Sequence, residues 1–91
     1  MNVSLAETKE YLRIDGNDED TTVENILSAS YNLCVDVARL SEEDFDNAGD
    51  ASKIAVLYAV GYLYEHREDA DHKALTLTLR SLLFGIRREE F

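Results

Sequence analysis

The stretch Ile54-Ala55-Val56-Leu57-Tyr58-Ala59-Val60-Gly61-Tyr62-Leu63-Tyr64 is eleven uncharged, mostly apolar residues long in a chain of 91. A membrane span needs about 20 such residues, so the run reads as core. Asp50 or Ser52 can cap a helix ahead of it, and the charged Glu65-His66-Arg67-Glu68 follows. The pattern predicts a helix over 51–67 that is apolar on every face and buried on more than one side. In a monomer of this length, that burial demands three surrounding helices or a second subunit over part of the surface.

The flanking segments supply candidate helices. Ser4-Leu5-Ala6-Glu7 fits a capping box, in which the serine hydroxyl and the glutamate carboxylate satisfy opposite orphan N–H groups. A short helix to Leu12 follows, with Leu5, Thr8 and Leu12 on one face, and Gly16 and Asn17 break it. From Asp20 or Thr21, the residues Val23, Ile26, Leu27, Ser30, Cys34, Val37 and Ala38 recur at helical spacing. They predict an amphipathic helix of about 18 residues, or ~27 Å. Residues 41–50 (SEEDFDNAGD) predict a connection anchored by its one large apolar residue, Phe45. Leu75-Thr76-Leu77-Thr78-Leu79 alternates as a strand would, but Leu79, Leu82, Leu83 and Ile86 keep helical spacing. With no partner strand nearby, the expectation is a helix over 76–88, with Arg87 and Arg88 at its negative end. The fold class is therefore all-α: one small four-helix domain over 1–91 with a buried apolar third helix.

Nine basic residues stand against 19 acidic ones, a net charge of −10. That excludes a general nucleic-acid binder, which needs cations to neutralise phosphates, and disfavours an anionic membrane surface. The acid is concentrated. Residues 41–50 hold five carboxylates and no cation, and residues 1–20 hold six carboxylates against Lys9 and Arg13. A hydrophobic share of 45% is too high for a disordered chain. The single cysteine, Cys34, forms no internal disulfide and fits a reducing compartment. The N-terminal residues lack the basic and apolar regions of a secretory signal, so synthesis in the cytoplasm is expected.

Catalytic chemistry finds little footing. His66 and His72 are six apart, which matches neither a helical His pair nor a zinc finger. The neighbouring Glu65, Glu68, Asp69 and Asp71 read as a solvated helix end. Cys34 lies on an apolar stripe without a basic neighbour and reads as a small buried hydrophobe. No Gly-rich phosphate loop or CxxC pair occurs. Neither a metal nor a cofactor is expected. Arg67 and Glu68 are adjacent and do not face each other on a helix, so the partner of Arg67 lies elsewhere in the fold or on another chain.

Two blocks, Leu12-Arg13-Ile14-Asp15 and Leu63-Tyr64-Glu65-His66-Arg67-Glu68, stand in order within a segment that starts with Ser4-Leu5 and ends with Leu82-Leu83 and Arg87. This arrangement, over about 4–88, resembles the head–tail connector proteins of long-tailed phages and prophages. The resemblance implies a non-enzymatic all-α subunit that forms a ring of about twelve or thirteen copies beneath the portal. It implies the portal and the next connector or tail-completion protein as partners, DNA passing through without specific binding, and a place at the virion neck. Arg13, Arg67 and Arg87 are the candidates for inter-subunit pairs with carboxylates. Leu12, Ile14, Asp15, Tyr64, Glu65 and Glu68 complete the family-motif residues. The chain departs from the family in two ways: no proline introduces its last helix, and its middle connection is short and very acidic.

Three rival readings stand beside it. A small acidic regulator that mimics DNA is permitted by the charge, although its carboxylates gather in two segments instead of spreading over one face. A metal-dependent enzyme would have to use His66, His72 and the nearby acids. A plain helical interaction module needs no special motif.

Overall fold

Val23, Leu27, Ser30, Tyr31, Cys34, Val37 and Ala38 form the buried stripe of the longest helix, and the rest of the molecule is arranged around it. The computed structural model describes residues 1–87. Among these residues the chain is entirely helical: α1 (Leu5–Leu12), α2 (Asp20–Ala38), α3 (Glu42–Asp46), α4 (Asp50–Glu65) and α5 (His72–Leu82). α2 and α4 make the most extensive pair, α1 and α5 each lie against both, and α3 closes the end between them. Small residues allow that central approach. Ser30, Cys34 and Ala38 on α2 and Ser52, Ala55 and Ala59 on α4 are all fully buried. With few side-chain atoms between them, two backbones can pack closely.

The capping box of α1 forms as its residues predict: Ser4 Oγ accepts from Glu7 N at 3.0 Å and Glu7 Oε1 accepts from Ser4 N at 3.2 Å. The chain then reverses through Arg13, which adopts a left-handed conformation (φ 60°), and the Ile14 N–H reaches back to the Lys9 carbonyl at 2.9 Å. α2 begins and ends where its periodicity predicts.

Four expectations need correction. The described residues hold five helices, not four, because the 41–50 connection contains one more helical turn. Ser41 caps α3 by accepting from Asp44 N at 3.1 Å, and three acids in the first turn suit the helix dipole. Phe45 is buried, as expected, and meets the Tyr31 ring edge-on with centroids 5.6 Å apart.

The start of α4 is set by neither Asp50 nor Ser52. Gly49 takes the cap position at φ 85°, a conformation that a residue without Cβ reaches at no steric cost. Ser52 instead lies buried one turn in, donating to the Gly49 carbonyl at 2.8 Å and accepting from Asn2 at 2.8 Å.

The apolar helix expected to be buried, α4, keeps an open strip. Ala55, Val56, Ala59 and Val60 are sealed, but Ile54 keeps 56% of its surface exposed and Tyr58 39%. Four helices touch α4 and still leave this strip uncovered.

α5 starts at His72, earlier than predicted, because Asp71 caps it by accepting from Ala74 N at 2.9 Å. Leu75, Leu79 and Leu83 are fully buried, so the apparent strand alternation at 75–79 is a helical stripe at spacing four. The helix ends at Leu82, which is exposed, not at Arg88, which lies outside the described residues.

Candidate functional site

The two sequence blocks meet in space. Leu12 and Arg13, at the end of α1, face the last two turns of α4 across a groove of about 590 Å³. Its other lining residues include Tyr11, Tyr58, Gly61, Tyr64 and Glu65. Gly61 makes the close approach possible: a Cβ there would stand 3.2 Å from the Tyr11 ring. Tyr11 and Arg13 are exposed on the rim, while Leu12 is half-buried and packs on the core.

The far wall is tied together by side chains of the second block. The Tyr64 hydroxyl donates to Glu19 Oε2 at 2.8 Å, and Arg67 Nη1 donates to Glu19 Oε1 at 3.4 Å. The Arg67 guanidinium also lies over the Tyr64 ring, 4.6 Å from its centroid. Arg67 therefore finds its partner within the chain, at the residue preceding α2. The bond to Glu19 is the main reason the Tyr64 hydroxyl holds its proton above the ordinary tyrosine range. Next to this cluster, Tyr62 accepts from the Asp71 N–H at 2.9 Å and stacks on His66 at 4.4 Å. The end of α4 thus holds the starts of α2 and α5.

The candidate residues divide into three groups. Tyr64 and Arg67 hold the fold together. Arg13, Asp15, Glu65 and Glu68 are exposed and make no ion pair among the described residues, so they remain available to a partner. Ile14 is half-buried beside them. Arg87 is elsewhere: its Nε donates to the Val37 carbonyl at 2.8 Å, in the last turn of α2. Glu19 and Gly61 were not foreseeable as site residues. Glu19 sits between Asp18 and Asp20 and nothing local sets it apart.

His66 lies 3.3 Å from Asp69 through Nδ1, and His72 starts α5. Among the described residues, no group of three or more His, Cys, Asp and Glu side chains is placed to hold a metal ion. Cys34 is fully buried, and burial pushes its thiol up to about 12. No helix among the described residues is long and apolar enough to cross a membrane.

What the geometry presents is an all-helical unit with a small tyrosine-lined groove, exposed charges around it and an uncovered apolar strip on α4. No curated protein and no solved structure matches the chain. A family match runs from residue 2 to residue 89, nearly the whole length, and by it the chain belongs to the Phage gp6-like head-tail connector protein family.

Proposed function

We propose that the chain is a structural subunit of the neck between phage head and tail, assembling side by side into a ring below the portal and prolonging the DNA channel. Family membership carries this reading. The uncovered Ile54 and Tyr58 on the most apolar helix support it, since an apolar strip on a small domain suits burial against a neighbour. In this reading the portal lies on one side of the ring and the next connector or tail-completion protein on the other. The ring is built in the host cytoplasm and ends at the virion neck. The net charge of −10 suits a channel component, because an acidic wall repels phosphates and lets DNA slide. The role needs neither catalysis nor a cofactor.

Native mass by light scattering over a concentration series tests the reading, with the portal protein then added. A species of about twelve or thirteen subunits, alone or on the portal, is the expected result. A chain that stays monomeric at high concentration and does not bind the portal overturns it.

A further inference from the structure

α5 has two faces of opposite character. Leu75, Leu79 and Leu83 are sealed against the core, where α5 packs on α2 and α4. On the opposite side, Lys73, Leu77 and Arg80, with Phe84 two residues past the helix end, follow one another at spacings of four, three and four, and all are exposed. Leu77 keeps 56% of its surface and Phe84 77%. Lys73 and Arg80 form no ion pair among the described residues. No acidic residue interrupts 72–88, in a chain that is otherwise strongly acidic. Two large apolar groups alternating with two cations have the composition of a contact face: apolar anchors beside charged groups.

The complementary chemistry is on the same chain. Glu42 and Glu43 are exposed on α3, within the segment that holds five carboxylates and no cation. Leu40, half-buried just before Ser41, adds apolar surface beside them. Within one molecule Asp46 is taken by the Met1 amine at 2.9 Å, and α3 packs on α2 and α4 and makes no contact with α5, so Glu42 and Glu43 stand apart from the α5 face.

We infer that the Lys73–Leu77–Arg80–Phe84 face of one copy docks on the acidic α3 turn of a second copy. Each molecule then offers one surface of each kind, and the contact is head-to-tail. A head-to-tail contact repeats until rotation closes it, which is how identical subunits make a ring. This inference rests on the ring reading above and deepens it by naming the two surfaces.

A charge swap in the full-length chain tests it, read by native mass at fixed salt. K73E/R80E and E42K/E43K should each weaken self-association by about a hundredfold, because each places like charges across the contact. An equimolar mixture of the two should recover self-association, in alternating assemblies of even copy number, since every α5–α3 contact there is again between opposite charges. F84S should weaken association about tenfold with the thermal midpoint unchanged, because the side chain is exposed in the monomer. If the wild type assembles and both charge variants assemble equally well alone, the surfaces are wrong while the ring reading stands. Failure of the mixture to recover overturns the pairing in the same way. Variants that assemble but no longer bind the portal would assign the face to the portal instead. A wild type that never leaves the monomer, with or without portal, removes the ring reading itself.

Discussion

The Tyr64 hydroxyl donates a 2.8 Å hydrogen bond to Glu19 across 45 positions of sequence, joining the end of α4 to the start of α2. Glu19 holds the Arg67 guanidinium with its other oxygen, so one carboxylate organises two residues of the second motif block. The block therefore acts first as an internal tie. Whatever a partner touches there is presented on a surface that Glu19 keeps in place.

Tyr64→Phe removes that donor and keeps the ring under Arg67. The expected result is a thermal midpoint lower by a few degrees, with faster amide exchange in the first turn of α2. The pH dependence follows from the raised hydroxyl pKa of Tyr64. A group whose folded pKa lies above its unfolded value stabilises the fold below the unfolded value, 10.0 here, and loses that contribution as pH rises through the folded value. The wild type should thus lose stability more steeply than Tyr64→Phe above pH 10.0. Parallel alkaline unfolding curves would remove the hydroxyl from this role.

Cys34 gives a second alkaline signal. Its thiol is raised from 9.0 to about 12 by burial, so the folded chain holds the proton over a range where the unfolded chain releases it. Stability from this group is complete below pH 9.0 and falls as pH climbs towards about 12. A thiol reagent at neutral pH should modify Cys34 only as fast as the chain unfolds, and denaturant should accelerate labelling in step with unfolding. Rapid labelling of the native chain would contradict the sealed packing of α2 on α4.

Local features of this chain were legible in its residues and tertiary ones were not, and the reason is distance. The capping box places Ser4 and Glu7 three residues apart, so one short string contains both partners. The stripe of α2 repeats often enough to mark its own buried face. The start of α4 rests on the backbone conformation of Gly49, and the exposure of Ile54 and Tyr58 depends on how four other helices happen to cover α4. Neither is written in the helix itself. Arg67 clearly needed a partner, but its identity as Glu19 required the fold to bring residues 48 apart together.

Ser30 is an enclosed polar residue. It is fully buried in α2, and its hydroxyl finds no hydrogen-bond partner among the described residues. A buried hydroxyl loses its hydration without recompense, whereas alanine fills nearly the same space and favours a helix. Ser30→Ala is expected to stabilise the chain by about 1 kcal/mol. Urea denaturation should show a higher midpoint at an unchanged slope. A lower midpoint would mean that the hydroxyl has a hydrogen-bond partner in the folded chain, which alanine loses.

Arg87 offers a choice between two physical accounts of one contact. Its Nε meets the Val37 carbonyl at 2.8 Å, and that carbonyl belongs to the last turn of α2, which has no basic residue of its own. A cation at a helix C-terminus is favourable through the dipole, and a directed N–H bond to an orphan carbonyl adds to it. Arg87→Ala removes both and should cost about 1–2 kcal/mol in chemical denaturation, since the side chain is only half-buried. Arg87→Lys keeps the charge and loses the guanidinium geometry. If the directed bond dominates, Arg87→Lys should lose most of the stability that Arg87→Ala loses, and added salt should change the difference little. If the dipole dominates, lysine should nearly match arginine at low salt, and the cost of the alanine variant should shrink as ionic strength rises. The short Nε distance favours the first outcome. It also places Arg87 against this subunit's own α2.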